Sequence, residues 1–459
     1  MPERADAGEA RHKNEYEAIF RDNPRVPPLI LLLFAGGSFG AASFIVAPQL
    51  LLLFFMTEQL GIPPVWAGAA LFVPKLWELV LDPVIGVWSD ATSSRWGRRR
   101  PFLLAGLVLL PLGLALLFAV PSFAAWPMRL AWVSLAFLVA TTGYSLFAVP
   151  YVALPGELAP DPVERTRLIA CRMVFVALGI LAAGAGAPLL IEALGGGRAA
   201  YAVTGGIFAV LAGLSLFGSF IAAGHAPIEQ GRREKGVLAS LPGATLRAVE
   251  FRALLVTYGL QMVASGLNAA MLAYAVRYLL HATESLTGLI FGLFTLASLG
   301  ATPVAAWFGG RIGKRRALVL FSLVYALGLA LFWFSSPAQL GALWLAAALS
   351  GVGNAGTQVF AFALLPDVLE RERARTGEDR TAAFTGIWTS CEKLGLAAGA
   401  AIGGAGLSLV GFVEGASGQN AATQTLIAVL LSLAPAALML VSLPLLGTVE
   451  SRHIQRRFA

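Results

Sequence analysis

The sequence predicts an all-α polytopic membrane protein with twelve transmembrane helices in two six-helix halves. Three observations carry this prediction. Of the 459 residues, 57% are hydrophobic and only 13% are charged, whereas soluble domains carry about 25% charged residues. Twelve apolar stretches are long enough to cross a bilayer, which takes about 20 residues. Short motifs also recur between the first and second halves of the chain.

The apolar stretches follow one another at regular intervals along the chain. They lie near residues 27–56, 65–89, 102–121, 128–153, 168–194, 200–223, 252–280, 286–309, 317–336, 339–366, 383–411 and 423–447. Small residues let membrane helices approach closely, so the spacing of Gly395, Gly399 and Gly403 predicts a helix-packing face.

The charged residues predict the orientation of the chain. Arginine-rich segments fall on alternate loops, at 95–100, 165–167, 232–235, 311–316, 371–380 and 452–457. Positive loops stay in the cytoplasm, so both termini are expected there, in a multi-pass protein of a bacterial inner membrane. The formal charge of +7 is spread over these loops, and we expect no nucleic-acid partner.

The internal repeat predicts the domain organisation. Trp96-Gly97-Arg98-Arg99-Arg100 recurs as Ile312-Gly313-Lys314-Arg315-Arg316, and Leu154-Pro155 recurs as Leu365-Pro366. Such repeats are typical of transporters built from two similar bundles. The predicted parts are a cytoplasmic segment 1–26, a bundle 27–224, a linker 225–250, a bundle 251–448 and a tail 449–459.

The second apolar stretch contains three charged residues. Lys75, Glu78 and Asp82 are spaced i, i+3 and i+7, so they lie on one face of a helix. A charge at the bilayer centre costs at least about 2.5–3.5 kcal/mol, which makes a functional site the default interpretation. The alternative is a structural Lys75–Glu78 ion pair, with Asp82 capping the helix end.

These residues and the loop after them resemble the glycoside-pentoside-hexuronide:cation symporter family of the major facilitator superfamily. The resemblance covers residues 36–104. The matching positions are Trp77, Glu78, Asp82, Pro83, Arg95, Trp96, Gly97 and Pro101.

The resemblance implies the major facilitator fold and several site residues. It implies cation coupling by Glu78 and Asp82 with Ser145, and substrate contacts from Tyr144, Arg172 and Lys393. Thr389 lies one turn before Lys393 and is included with the substrate residues.

The family's sugar clamp is missing from this chain. The resemblance places its helix I lysine–aspartate pair on Ala41 and Ala42, and its helix IV aspartate on Ala148. Arg172 and Lys393 remain as cations, which suits an anionic or zwitterionic substrate, although both could be structural charge partners. The neutral polar residues predicted to contact the substrate are Gln261, Asn268, Asn354 and Gln358. The alternative is that each of them forms a hydrogen bond that packs two helices together.

The basic loops are predicted to hold the helix ends on the cytoplasmic side together in one transport state. The alternative is that they only enforce topology. The residues assigned to this gating motif are Asp90, Arg95, Gly97, Arg98, Arg99, Arg100, Glu157, Arg165, Arg315, Arg316 and Asp367.

The leading hypothesis is therefore a secondary active transporter that couples symport of a glycoside or other small polar solute to a cation by alternating access. The alternative is a transporter of an amphiphilic, zwitterionic or anionic substrate such as a lysophospholipid. Protons are favoured over sodium, because Ala148 replaces a carboxylate that a sodium site would use. We expect a monomer in the lipid bilayer, with no cofactor, no metal and no enzymatic activity.

Overall fold

A computed structural model describes residues 25–159, 161–226, 248–377 and 381–449 of the chain. Within these residues the regular structure is entirely helical. The long helices are α1 (Pro28–Ala47), α2 (Pro64–Ala91), α3 (Arg100–Phe118), α4 (Trp126–Leu158), α5 (Pro162–Leu181), α6 (Gly197–Ala222), α7 (Val249–Tyr278), α8 (Glu284–Ile312), α9 (Lys314–Leu331), α10 (Leu340–Thr376), α11 (Thr381–Leu409) and α12 (Ala421–Leu431).

Five of these helices are prolonged by further turns, which for α6 and α9 are the short 3-10 turns Ala223–His225 and Phe332–Phe334. A π-helical path, Pro48–Leu52 and then Phe55–Gln59, follows α1. A π-helical turn and the short helix Ala187–Ala193 follow α5, and Leu433–Ser442 follows α12 after Ser432. Each predicted apolar stretch thus corresponds to one long helix or to a helix with such a continuation.

Ten of the helices, with these continuations, are long and apolar enough to cross a membrane by length and composition. The other two are α2 and α11, which are 28 and 29 residues long. They carry Glu78 and Lys393, two of the charged residues predicted to form the site. The all-α membrane fold is confirmed.

The chain separates into two compact units. Of the described residues, those within 25–47 and 73–226 form the first unit, and those within 48–72 and 248–449 form the second. The division falls where α1 becomes π-helical and again inside α2, beside Pro74. The domain boundaries inferred from sequence remain predictions, since most of the linker, the segment 1–24 and the tail from 450 onwards lie outside the described residues.

The same helix pairings occur in both units. In the first unit α1 packs against α5 and α6, and α3 packs against α4 and α6. In the second unit α7 packs against α11 and the α12 continuation, and α9 packs against α10 and that same continuation. Each of these four pairings in the second unit joins the helices that lie six places further along the chain than those of its counterpart in the first unit, which agrees with the internal repeat.

Glycines permit the tightest of these pairings. Gly113 on α3 faces Ala140 on α4, and Gly353 on α10 faces Tyr325 on α9, so closely that a methyl group at either glycine would overlap its neighbour. The predicted face of Gly395, Gly399 and Gly403 is confirmed, because all three lie against α7. Small residues on these surfaces bring whole helix backbones into van der Waals contact.

Candidate functional site

The charged residues of α2 form a buried ion pair in the first unit. Lys75 Nζ lies 2.9 Å from Glu78 Oε2, and the Glu78 side chain is fully buried. Helix α2 is continuous through Pro74 and Pro83, so Lys75, Glu78 and Asp82 stay on the same face as predicted. Asp82 is partly buried two turns after Lys75.

Aromatic rings surround the Lys75 ammonium. Its Nζ lies 5.8 Å from the ring centroid of Phe44 on α1 and 5.7 Å from that of Phe137 on α4. Tyr144 packs on Phe44, with 5.5 Å between the ring centroids. Cation–π contacts at these distances stabilise a charge that has left water. Phe44 and Phe137 were not predicted, because aromatic residues in apolar helices give no distinguishing sequence signal.

Ser145 lies one turn after Thr142, whose hydroxyl accepts a hydrogen bond of 3.0 Å from Trp77 Nε1. That contact ties α2 to α4. The Ser145 hydroxyl is fully buried and has no hydrogen-bond partner in the part of the chain that the structure describes. A buried hydroxyl without a partner usually signals a bound ion, a water molecule or a function.

Arg172 on α5 belongs to a second polar cluster of the first unit. Its Nε donates to Ser38 Oγ at 3.1 Å, and its guanidinium lies 5.1 Å from the ring centroid of Tyr151. The Tyr151 hydroxyl is 2.9 Å from Ser38 Oγ and donates to the Phe34 carbonyl at 2.7 Å. The sequence analysis missed Ser38, because a lone serine among small residues looks like a packing residue.

The predicted residues of the second unit divide into two groups. Gln358 on α10 accepts a 3.0 Å hydrogen bond from the Tyr258 hydroxyl on α7. Glu392, the neighbour of Lys393 on α11, lies close enough to the Tyr258 hydroxyl to interact with it electrostatically. Thr389 is exposed one turn before Lys393. The structure therefore places Gln358 and Glu392 beside Tyr258.

Gln261 and Asn268 make the contacts of helix-packing residues. Gln261 is fully buried, and its Nε2 donates to Ser322 Oγ at 3.0 Å and to Ser442 Oγ at 3.3 Å. Asn268 Nδ2 donates to the Leu431 carbonyl at 2.8 Å. These bonds join α7 to α9 and to α12 with its continuation, so we leave both residues out of the proposed cargo site.

The basic loop after α2 closes on Glu157 at the end of α4. Glu157 Oε1 accepts from Arg98 at 2.7 Å and from Arg99 at 2.5 Å, and Arg99 also pairs with Asp90 at 3.3 Å. Gly97 supplies the turn with a φ of +85°, a conformation that L side chains rarely adopt. Three helix ends of the first unit are thus joined by charge.

The remaining predicted basic residues of the first unit have other contacts. Arg100 stacks on Phe220 at 4.6 Å, and Arg95 stacks on the neighbouring Trp96 ring at 5.4 Å. Arg165 donates to the Ala159 carbonyl at 3.4 Å. These contacts fix the loops of the same bundle end.

The second unit repeats this arrangement with a lysine. Lys314 Nζ lies 2.7 Å from Asp367, and Gly313 before it has the same φ of +85° as Gly97. The sequence analysis assigned Arg315 and Arg316 to this role, whereas the ion pair to Asp367 is made by Lys314. The repeat could have revealed this, because Lys314 occupies the position equivalent to Arg98.

Described residues of the first unit line the following two cavities. One of about 280 Å³ is lined by Trp77, Leu109, Leu138, Val139 and Thr142 and is mainly apolar. The other, of about 600 Å³, lies beside the start of α5 and is lined by residues that include Arg25, Glu164 and Arg167.

Comparisons with known proteins agree with this architecture. The model of the MFS/sugar transport protein family matches residues 33–449. An uncharacterized symporter of Synechocystis sp. is 26% identical, over 84% of this chain and 87% of its own length. The isoprimeverose transporter of Lactiplantibacillus pentosus is 24% identical, over 79% of this chain and 76% of its own length.

A glucuronide carrier protein homolog of Escherichia coli is also 24% identical, over 79% of this chain and 80% of its own length. Among solved structures, the nucleoside transporter NupG has a TM-score of 0.65 at 14% identity, over 91% of this chain and 99% of its own length. At that identity the likeness shows the fold alone.

Proposed function

This chain belongs to the MFS/sugar transport protein family, and on that basis we propose that it is a secondary active symporter. A cation moving down its gradient would drive a glycoside or another small polar solute through the membrane by alternating access. Relatives named as a symporter, an isoprimeverose transporter and a glucuronide carrier homolog support this function.

The observation that carries the coupling proposal is the buried Glu78. A carboxylate inside a membrane helix is costly unless it is paired or binds an ion. Here the Lys75 ammonium neutralises it at 2.9 Å. A coupling cation that binds Glu78 or Asp82 must compete with that ammonium, which links ion binding to a rearrangement of α2. Glu78 and Asp82 are the proposed coupling residues, with Ser145 as a possible oxygen ligand.

Protons are proposed as the coupling ion in preference to sodium. A sodium site needs several oxygen atoms that converge on the ion, and Ala148 stands where the family resemblance places a further carboxylate. A proton needs only one carboxylate. Glu78 is proposed as the carrier because its longer side chain can exchange partners.

The proposed cargo is a sugar derivative that carries a negative charge. Alanines, Ala41, Ala42 and Ala148, stand where the family resemblance places the lysine–aspartate pair and the further aspartate that bind neutral sugars. Arg172 and Lys393 could instead bind an anionic group by charge-assisted hydrogen bonds. One relative, the glucuronide carrier protein homolog, is named for an anionic sugar derivative, which supports this proposal.

A second candidate cargo is an amphiphile such as a lysophospholipid. The apolar cavity beside Trp77 favours it, because a volume of about 280 Å³ lined by Leu109, Leu138 and Val139 suits part of an acyl chain. Neither candidate changes the proposed roles of Glu78 and Asp82.

We further propose that the protein is a monomer of a bacterial inner membrane, with both termini in the cytoplasm. In that orientation the charged contacts of Arg98, Arg99 and Lys314 lie at the cytoplasmic ends of their units. They would stabilise one transport state, and the proposed gating role of the basic loops rests on these pairs.

The cargo and the ion can be determined together in proteoliposomes. The purified protein is tested with isoprimeverose, a glucuronide and lysophosphatidylcholine under an imposed proton gradient or an imposed sodium gradient at clamped pH. We expect glucuronide accumulation that follows the proton gradient. Accumulation that follows only sodium would contradict proton coupling, and uptake of lysophosphatidylcholine without either sugar would favour the second candidate.

The coupling residues are tested with Glu78→Gln and Asp82→Asn. Each variant should lose uphill accumulation, and at least one should keep cargo exchange, because exchange does not need net ion movement. Glu372→Gln is the matched control, since Glu372 pairs with the exposed Arg375 in a helix end. Uphill accumulation that persists in both α2 variants would contradict the assignment.

A further inference from the structure

Arg172 is a charged side chain inside a membrane-spanning segment of the first unit. It lies on α5, within the candidate span Pro162–Ala193, and is only partly exposed. Among the described residues no acidic side chain forms an ion pair with its guanidinium, whereas Lys75 of the same unit is paired with Glu78 at 2.9 Å. An unpaired charge within a membrane helix is a functional-site hypothesis by default.

A chain of hydrogen bonds fixes the Nε side of this guanidinium. Arg172 Nε donates to Ser38 Oγ at 3.1 Å. The Tyr151 hydroxyl donates to the Phe34 carbonyl at 2.7 Å and lies 2.9 Å from Ser38 Oγ. Each hydroxyl has a single hydrogen, and that of Tyr151 is already used, so the hydrogen between the two hydroxyls comes from Ser38. The bonds therefore run in one direction, from the guanidinium through both hydroxyls to the carbonyl.

The Tyr151 ring holds this chain of bonds in place. It is 1% exposed and packs against the rings of Phe34 and Phe147, with 4.8 Å and 4.9 Å between the centroids. The Arg172 guanidinium lies 5.1 Å from the centroid of the same ring, and Ser38 is 2% exposed. Because both hydroxyl hydrogens are used and both side chains are buried, Ser38 and Tyr151 orient Arg172 and do not bind cargo themselves.

The two Nη groups of Arg172 remain available. A guanidinium donates hydrogen bonds in one plane, from Nε and from both Nη atoms. Within the part of the chain that the structure describes, only the Nε bond is made. Carboxylates and phosphates match this planar fork with two oxygens. With Nε engaged by Ser38, the two-oxygen contact that remains is at the end of the guanidinium, with one oxygen on each Nη.

From this geometry we infer that Arg172 is an oxyanion-binding site, which holds a carboxylate or phosphate group end-on through both Nη atoms, and that Ser38 and Tyr151 are its positioning residues. The inference rests on the proposed function and deepens it, because it names the chemical group by which the cargo is held. That group is the carboxylate of a glucuronide or the phosphate of a lysophospholipid. A neutral sugar or a neutral lipid lacks it.

Equilibrium binding to the purified protein in detergent tests the site with two matched ligand pairs. Methyl glucuronide is compared with methyl glucoside, and lysophosphatidylcholine with the monoacylglycerol of the same chain. The wild type should bind one of the two oxyanion ligands at least about tenfold more tightly than its neutral counterpart, the effect of a hydrogen bond to a charged group. Arg172→Gln should lose this preference, and Arg172→Lys should keep only part of it, because an ammonium lacks the planar fork.

Ser38→Ala tests the positioning role. It keeps the charge but frees Nε, so the preference for the oxyanion should fall about threefold to tenfold. Tyr151→Phe keeps the ring and should lower the preference by less. Ser43→Ala is the matched control, because Ser43 is a buried serine of α1 that donates to the Gly179 carbonyl of α5 at 3.2 Å. It removes a hydrogen bond between the same two helices and should keep the wild-type preference.

The ratio of the two affinities within a pair decides the outcome, since damage to the fold weakens the binding of both ligands alike. Equal affinities in both pairs, or a preference that survives in Arg172→Gln, would overturn the inference. If Arg172→Gln does not fold, a full preference in Arg172→Lys would do the same. A preference that Ser38→Ala leaves unchanged, or that Ser38→Ala and Ser43→Ala lower equally, would overturn the positioning role.

Transport separates this inference from the proposed function. If the binding preference depends on Arg172 while no cation gradient drives uptake, the oxyanion site stands and the proposed symport fails. If a proton gradient drives glucuronide accumulation equally well in the wild type and in Arg172→Gln, the symport stands and the oxyanion site is overturned.

Discussion

At the scale of single residues, Lys75 and Glu78 are the two side chains whose replacement tests the proposed coupling site. Their ion pair is enclosed by the rings of Phe44 and Phe137. The sequence analysis left a purely structural pair open as the alternative to a coupling site. The two interpretations differ in what happens when each charge is removed.

Lys75→Gln should lower the free energy of unfolding by about 3–5 kcal/mol, because it leaves a fully buried carboxylate without its ammonium. The double variant Lys75→Gln/Glu78→Gln should recover most of this loss, since two neutral amides carry no buried charge. Thermal unfolding in detergent measures both effects. Losses that simply add in the double variant would show that the two side chains do not depend on one another.

The uptake assay then separates stability from coupling. A double variant that is as stable as the wild type but has lost uphill accumulation would show that Glu78 is needed for coupling itself. Wild-type accumulation in that stable variant would assign the pair to structure alone.

At the scale of elements, the π-helical turns that follow α1 carry a partly buried carboxylate, Glu58. The π-helical turns after α1 belong to the second unit, where Thr57 Oγ1 lies 2.7 Å from the Tyr274 hydroxyl. Glu58 lies beyond the candidate span Pro28–Leu52 and beside Tyr278, Arg277 and Glu414. Burial raises the pKa of Glu58 from 4.5 to about 7, while Tyr278 and Arg277 oppose the rise.

The raised pKa of Glu58 predicts that the stability of the folded protein depends on pH. Because the pKa of Glu58 is higher in the folded protein than in the unfolded chain, the folded state binds more protons between pH 4.5 and about 7. The contribution of Glu58 to the free energy of unfolding is therefore fully present below pH 4.5 and is lost as the pH rises through about 7. It amounts to at most about 3 kcal/mol at 1.36 kcal/mol for each pKa unit.

Glu58→Gln stays neutral at every pH, so it should remove this part of the profile and should be more stable than the wild type at pH 8. Unfolding temperatures of both proteins from pH 4 to pH 8 provide the measurement. Parallel profiles for the two proteins would show that Glu58 does not titrate in this range.

At the scale of the whole molecule, the alternating basic loops make one prediction about orientation. In a variant whose Cys171 and Cys391 are replaced by serine, a single cysteine at Ser417 should react with an impermeant thiol reagent added outside intact cells. A single cysteine at Thr376 should react only after lysis. Both positions are exposed, so access depends on the membrane side, and the opposite labelling pattern would reverse the proposed topology.

The membrane class, the positions of the helices and the internal repeat could all be predicted from the sequence alone. Each depends on local composition: an apolar run of sufficient length must become a helix in lipid, since its backbone has no other hydrogen-bond partners there. The helix-packing face of Gly395, Gly399 and Gly403 followed from four-residue spacing, which places residues on one side of any helix. The sequence alone also marked Glu78 as a candidate site residue, because a charge inside a membrane-spanning helix is energetically costly.

Only the tertiary structure decided which side chains meet. Lys314, and not Arg315 or Arg316, forms the ion pair with Asp367. Gln261 donates its amide hydrogens to serines on neighbouring helices. Arg172 donates a hydrogen bond to Ser38, and Gln358 accepts one from Tyr258. Successive residues point about 100° apart around a helix with 3.6 residues per turn, so a side chain's partner depends on how each helix is rotated and on which helix lies beside it. Both are set by packing between segments that are distant in the chain, and no local pattern encodes them.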